Sequence, residues 1–162
     1  MTDEIDLGGW LLRKLAESPP GQTFWEGTWS VPAERPDGTI RYFICCAAES
    51  APSPEQLAFC GRIQAIASTC LDVARMFLLR EIEVSPQRFG LTDDEASDLA
   101  RGHPDQLPFG GPELTFYGGE EWFVRFTETR LSGCAHLGLG VDFSGESPLH
   151  AHCLDREADE GA

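Results

Sequence analysis

The chain has 162 residues, of which 41% are hydrophobic and 24% are charged, so it can form one domain with a core and is not compositionally disordered. Its 27 acidic residues against 12 lysines and arginines give a formal net charge of −15. A field of that sign repels phosphate backbones and anionic headgroups and attracts basic proteins. Nucleic acid and membrane are therefore excluded as expected partners and a basic protein is favoured, although the same surplus also serves solubility alone.

The N-terminal residues predict a cytoplasmic location. Residues 1–6 contain three carboxylates and lack the basic and apolar segments of a secretory signal, and no apolar run approaches the roughly 18 residues that span a bilayer. Cysteines in a reducing cytoplasm stay as free thiols, and no pair here has the C-x-x-C spacing of a zinc or redox motif. We therefore expect all six cysteines to be free thiols, namely Cys45, Cys46, Cys60, Cys70, Cys134 and Cys153.

The first fifty residues predict a short helix followed by a β-hairpin. Residues 5–17 combine Gly8-Gly9 with a tryptophan and several leucines, and we assign them to the helix. Alternation from Phe24 to Val31 is typical of a half-buried strand, and residues 39–46 form its partner. The turn between them is predicted at Arg35-Pro36-Asp37-Gly38.

Two capping boxes predict helices in the middle of the chain. Ser53, with Pro54 at the first helical position and Gln56 at the third, begins a long amphipathic helix that we extend to about Arg80. Thr92 and Glu95 begin a short helix that ends near Arg101. Glycines and prolines over residues 102–112 then indicate an irregular connection inside the same domain.

The C-terminal third predicts four strands. Alternation places them at residues 114–117, 122–128, 137–143 and 149–153. The predicted order is ββ-α-α-ββββ, an α+β fold in which an antiparallel sheet of about six strands carries one long amphipathic helix across a face. We expect residues 1–162 to form a single domain and residues 155–162 to be a frayed acidic tail.

Histidines and cysteines near the C-terminus are the first candidates for chemistry. A zinc site would require four ligands to converge, drawn from Cys134, His136, His150, His152 and Cys153. If Phe143 lies opposite Leu149, then His150 lies opposite Asp142 and His152 opposite Gly140, with His136 roughly 13 Å from the partner of His152. A slip of two residues places His150 opposite Gly140 instead. We therefore predict no metal, no cofactor and no catalytic residue, with an enzyme or metal-binding protein built on this group as the alternative.

Other catalytic arrangements are also absent from the sequence. The chain contains no nucleophile elbow, phosphate-binding P-loop or H-E-x-x-H motif. Cys60 and Cys70 lie on the apolar stripe of the long helix, where burial raises a thiol pKa and suppresses reactivity. The sequence therefore favours a non-enzymatic protein.

Carboxylates are the remaining candidates for a binding surface. One group begins the second helix, where it also serves capping, and the other occupies a hairpin tip, where it also serves solubility. Together with the acidic tail they are the predicted partner-binding residues, with a tryptophan as the apolar anchor. The set is Asp93, Asp94, Glu95, Asp98, Glu120, Glu121 and Trp122.

Three segments in the N-terminal half of the chain resemble, in their spacing, segments of a known group of proteins. Asp6-Leu7-Gly8, Trp25-Glu26-Gly27 and Ser53-Pro54-Glu55-Gln56-Leu57 resemble segments of small bacterial domains related to immunity proteins of polymorphic toxin systems. This resemblance implies an acidic antitoxin that binds and occludes a basic toxin domain, often a nuclease. It assigns no functional residue.

The remaining alternative for the function of the chain is a homo-oligomeric structural subunit, such as a homodimer that forms through the sheet edge.

Overall fold

In a computed structural model, residues 3–31, 38–102 and 107–161 are described, and they form one sheet and four α-helices. The strands are β1 (Glu4–Asp6), β2 (Leu11–Lys14), β3 (Gln22–Ser30), β4 (Thr39–Ala47), β5 (Phe109–Gly118), β6 (Glu121–Thr129), β7 (Leu139–Ser144) and β8 (Ser147–Cys153). The α-helices are α1 (Pro54–Ala65), α2 (Ala67–Val84), α3 (Asp93–Ala100) and α4 (Leu154–Glu160). Short 3-10 helices lie at Pro86–Phe89 and Ser132–Cys134.

The sheet has eight strands in chain order, and it is mixed. Its neighbouring strands are antiparallel except for β4 and β5, which are parallel. The expectation of about six antiparallel strands is therefore wrong. Parallel neighbours need a crossover connection, and the helices between β4 and β5 return the chain to the end of the sheet where β4 began. Alternation identifies a strand, but it carries no information about the direction of its neighbour.

The N-terminal segment forms strands β1 and β2 rather than the predicted helix. Gly8 and Gly9 have positive φ values of 66° and 97°, the conformation of a tight hairpin turn, which glycine adopts without steric cost. The amide of Gly9 donates to the Asp6 carboxylate at 2.8 Å. In β2 only Leu12 is buried, so this edge hairpin has little of the alternation that marks the other strands.

The predicted long helix is interrupted at Ile66, so the expectation of one long helix is also wrong. Helices α1 and α2 are bent by 75° at this break. Ser53 and Gln56 form the expected capping box of α1, and Thr92 and Glu95 form that of α3. No proline or glycine occurs at the break, and the buried positions continue across it at helical spacing, so the local sequence does not indicate it.

One side of the sheet and the helices enclose the core. The alternate residues Trp25, Trp29 and Val31 of the first hairpin are buried there, as are Trp122, Val124 and Phe126 in β6. The turn predicted at Arg35-Pro36-Asp37-Gly38 lies largely outside the described residues. Among the described residues no single helix is long and apolar enough to cross a membrane, and only the bent pair α1 and α2 meets that test jointly.

The C-terminal segment forms a helix where we expected a frayed tail. Helix α4 begins directly after β8. The carboxylate of Asp155 accepts hydrogen bonds from the backbone amides of His136 and Leu137, and the amide of Leu154 donates to the Gly138 carbonyl at 3.1 Å. These contacts attach α4 to the connection between β6 and β7.

Candidate functional site

Alternate residues of the strands project to the side of the sheet opposite α1 and α2, here called the open face. Successive side chains of a strand point to opposite faces, and cross-strand partners share a face. Most side chains on the open face are half-buried or exposed, whereas those on the opposite, covered face are buried. Its central residues are Glu26, Arg41, Phe43, Glu113, Thr115, Tyr117, Phe123, Arg125, Gly140, Asp142, His150 and His152.

A row of alternating charges crosses β2 to β5 on the open face. Glu26 accepts hydrogen bonds from Arg13 and, at 2.7 Å, from Arg41, and Arg41 also lies 3.5 Å from Glu113. Partial burial acts to raise the pKa of Glu26, but the bonds from Arg13 and Arg41 outweigh it and lower the pKa. These charges compensate one another, so this part of the face carries little net field.

Aromatic rings occupy the centre of the open face. Phe43, Thr115 and Phe123 are neighbours across β4, β5 and β6, and Phe43 and Phe123 are half-buried. The Phe123 ring lies across the backbone of Gly140, where an added Cβ would be 2.2 Å from the ring. Tyr117, 48% exposed, projects from the same face. The rings form a half-covered apolar centre between charged residues.

His152 connects the open face to α4 through two carboxylates. Its Nε2 lies 2.6 Å from Asp142 and its Nδ1 lies 2.7 Å from Glu157. A carboxylate only accepts, so both ring nitrogens donate when the ring is a protonated imidazolium. Partial burial acts to lower the pKa of His152, but the hydrogen bonds to Asp142 and Glu157 outweigh it and raise the pKa. In the protonated ring neither nitrogen is free to act as a base or a metal ligand.

The first of the two predicted registers of β7 and β8 is correct at both histidines but wrong at Phe143. His150 lies opposite Asp142 and His152 opposite Gly140, and the hydrogen bond to Asp142 comes from His152. A register shift after Asp142 places Pro148 opposite Phe143.

Cys134 and Cys153 form a disulfide, with 5.6 Å between their Cα atoms, so the expectation of six free thiols is wrong for this pair. The 3-10 helix at Ser132–Cys134 brings this segment to the end of β8, where Cys153 Sγ also lies 3.2 Å from the Gly133 carbonyl.

The other cysteines and the histidines do not form a reactive centre in the described part of the chain. Cys45, Cys46, Cys60 and Cys70 are free and buried. Burial raises the pKa of Cys60 to about 12 and that of Cys70 to about 11, so both thiols stay protonated and weakly nucleophilic at neutral pH. Within residues 3–31, 38–102 and 107–161, no group of three or more His, Cys, Asp or Glu side chains could hold a metal ion.

The predicted binding carboxylates of α3 are all exposed, with Asp93, Asp94 and Glu95 in the first turn and Asp98 in the second half of the helix. Asp93 accepts from the Gln87 amide at 3.0 Å, and Asp98 lies 3.4 Å from Arg101. Glu95 accepts from the backbone amide and hydroxyl of Thr92, and these bonds lower its pKa. Each of these three carboxylates therefore already contributes to the local structure of α3, while Asp94 is exposed to solvent.

The second predicted group lies in the turn between β5 and β6, beside the turn between β7 and β8. Glu120 pairs with Arg62 of α1 at 2.7 Å, and Glu121 is exposed. Trp122 is 1% exposed, donates to the Gly145 carbonyl at 2.7 Å and stacks on Phe143, so its ring belongs to the core and cannot anchor a partner. Helix α3 contacts α2 and the 3-10 helix at Pro86–Phe89, and the role of the two carboxylate groups in binding a partner stays a prediction.

The open face is the feature that the sequence prediction missed. A usable signal was present, because Phe24, Phe43 and Phe123 occupy strand positions whose alternation assigns them to the polar side. An aromatic residue at such a position indicates a ring that lies outside the core, on the opposite face of the sheet. Charged neighbours on the same strands obscured this signal.

Both sheet edges carry features that disfavour pairing with another strand. β1 is three residues long and contains Glu4 and Asp6, and short charged edge strands resist strand addition. At the other edge, Arg88 donates to the Ala151 carbonyl of β8 at 3.0 Å. These features weaken the alternative of a homodimer through the sheet edge.

Comparison of the chain with models of protein families, with curated proteins and with solved structures gave no match.

Proposed function

We propose that this protein is a non-enzymatic, acidic binding module whose open face docks a basic protein partner. The observation that carries the proposal is the apolar centre of that face. Phe43 and Phe123 are only half-buried there. In contrast, Trp122, the neighbour of Phe123 in sequence, points to the covered face and is buried. Large aromatic side chains at the centre of a binding surface, surrounded by polar groups, are the usual source of long residence times.

The charge of the molecule selects the partner class. Aromatic sheet surfaces also stack nucleic acid bases, but such surfaces combine the rings with unpaired basic residues. Here Arg13 and Arg41 are paired with Glu26, and the net charge of −15 repels phosphate. A basic protein is attracted by the same field and gains on-rate from it.

The immunity-type role implied by the N-terminal resemblance is part of this proposal. An immunity protein must bind its toxin quickly and release it slowly. Net charge supplies the first property and a desolvated aromatic centre supplies the second. The engagement of both His152 nitrogens with carboxylates also agrees with a role in binding rather than catalysis.

The test uses the protein encoded by the neighbouring gene as the candidate partner, with binding kinetics measured at low and high salt. We expect a stoichiometric complex whose association rate falls as salt rises. Phe123→Ser should raise the dissociation constant at least about tenfold, as expected of an interface anchor. The matched control is Val84→Ser, because Val84 is 77% exposed near the end of α2 and should bind as the unmodified chain does.

Three outcomes would overturn the proposal. The first is the absence of a complex with that protein, and the second is an association rate that does not change with salt. The third is tight binding of single-stranded RNA homopolymers that Phe123→Ser abolishes, because it would identify the open face as a nucleic acid surface.

A further inference from the structure

Helix α2 presents an exposed stripe on the side away from the sheet. Its buried residues, such as Ala74 and Leu78, form one side of the helix. The opposite side carries Asp72, Met76 and Arg80, which are all exposed, and Met76 alone is 51% exposed. These three residues are spaced by four, so they form one continuous ridge along the helix surface. Val73, 37% exposed, extends the apolar centre of the ridge.

A groove of about 550 Å³ runs beside this ridge, and its wall includes Pro148 of β8. Its apolar lining comes from Val73, Met76, Phe77 and Leu79 of α2 and from Pro148. Apolar side chains from two elements therefore line the groove, an arrangement that commonly receives another helix.

The ridge is complementary to its own reverse copy. In the commonest class of helix packing, ridges of residues spaced by four lie side by side at an angle of about −50°. If two copies of α2 pack antiparallel around a two-fold axis at Met76, then Met76 faces Met76. Asp72 then faces Arg80 of the other copy, and Arg80 faces Asp72. Because the axis is two-fold, the Asp72–Arg80 pair between the two copies forms twice, once on each side of the axis.

We propose that a second copy of this chain docks on α2, with Met76 at the centre and Asp72 and Arg80 paired across the interface. This homodimer goes beyond the proposed function, since it uses the helical side of the molecule and leaves the open face accessible. Charge complementarity within the ridge is what selects a second copy as the occupant. One helix pair with a β8 margin forms a small interface, so we expect a dissociation constant of roughly micromolar order.

The test is sedimentation equilibrium of the full chain across roughly 1–500 µM, the range in which such a dimer dissociates. We expect the mass to rise from monomer to dimer. Met76→Glu should raise the dimer dissociation constant more than about tenfold, because it places two carboxylates together at the two-fold axis. Leu11→Glu adds the same charge on β2, at a side chain that is 66% exposed and lies outside the ridge and its groove, and it should leave the dissociation constant unchanged.

A charge exchange separates self-recognition from general stickiness. Asp72→Arg and Arg80→Asp should each weaken the dimer, because each places like charges opposite one another. The double variant restores both pairs and should return the dissociation constant to within about threefold of the unmodified value, since the pair energies are recovered. Asp72 also lies 3.5 Å from Arg75 of its own helix. That contact is lost in Asp72→Arg and in the double variant alike, so it cannot produce the rescue of the double variant relative to Asp72→Arg.

Circular dichroism and urea unfolding of each variant confirm that the compared chains are folded. The proposal is overturned by a chain that stays monomeric over the whole range, or by a dimer that Met76→Glu leaves intact. It is equally overturned if the double variant is no better than the weaker single variant. None of these outcomes depends on the partner of the open face.

Discussion

The covered and open faces of the sheet use aromatic residues differently, and adjacent residues of β6 show the difference. Trp122 lies on the covered face between Phe116 and Phe143, with ring centroids 5.8 and 4.4 Å away. Phe123 projects to the open face and lies across Gly140, with part of its ring exposed. The first ring has all its contacts within the chain, whereas the second retains apolar surface that another molecule can cover.

Charged residues follow the same division. Among the described residues the covered face buries hydrophobic side chains, with Thr23 as its buried polar residue, while the open face carries the row from Arg13 to Glu113. Desolvating a charge is costly unless it is paired, so pairing allows these residues to surround an apolar centre. The contrast indicates that the covered face determines stability and the open face is available for binding.

The largest expected effect is a difference in stability between variants that truncate adjacent rings on the two faces. Trp122→Ala removes a fully buried indole and should lower the free energy of unfolding by about 3–5 kcal/mol. Phe123→Ala removes a half-exposed ring and should cost about 1 kcal/mol. Urea unfolding of both variants checks this. Equal losses would show that Phe123 belongs to the core, and the division between the faces would then be wrong.

A second comparison uses one glycine on each face. An added Cβ would be 2.3 Å from the Tyr42 ring at Gly27 and 2.2 Å from the Phe123 ring at Gly140. Tyr42 is 2% exposed and stacked on Trp29, so it cannot move away, and Gly27→Ala should cost about 1–3 kcal/mol. Phe123 can rotate toward solvent, so Gly140→Ala should cost less than about 1 kcal/mol. Thermal unfolding of both variants measures the difference, and the reverse order would contradict it.

The smallest expected effect is the pH-dependent contribution to stability of His152, at the edge of the open face. The folded state raises the pKa of His152, so its stabilising contribution is complete below the unfolded pKa of about 6.5 and disappears as pH rises through the raised folded value. His152→Gln should therefore cost about 0.5–1 kcal/mol near pH 6, allowing for partial solvent exposure, and progressively less at higher pH.

Urea unfolding from about pH 6 to about pH 9 checks this window, which spans the expected titration. The exposed His150 supplies the control, because His150→Gln makes the same substitution on the same strand without removing a hydrogen bond to Asp142 or Glu157. A pH-independent loss in His152→Gln would show that the imidazolium does not stabilise the attachment of α4.

The sequence predicted individual elements better than their arrangement. The capping boxes at Ser53 and Thr92 and the inward positions of β3 and β6 appear as expected, because each depends on residues a few positions apart. The interruption at Ile66 was not predictable from local sequence, since the apolar spacing continues through it. Strands β1 and β2 were missed because an edge hairpin with one buried leucine has too little alternation to be distinguished from a helix.

The site was predictable only in part. The sequence identified Asp93, Asp94, Glu95, Asp98, Glu120 and Glu121 as surface carboxylates, and these lie on the surface; their role in binding a partner stays a prediction. It could not show that His152 would meet both Asp142 and Glu157, because Glu157 belongs to a segment without strand or core patterning. It also could not show that Cys134 approaches Cys153.

By itself the sequence determined the net charge, the starts of α1 and α3 and the inward face of most strands, since composition, capping and two-residue periodicity are local properties of a chain. The tertiary structure alone decided the parallel pairing of β4 and β5, the disulfide and the bonds of His152. It also decided which face of the sheet the helices cover. These depend on the path of the chain between distant segments, and side-chain alternation is the same whichever face is covered and whichever direction the neighbouring strand runs.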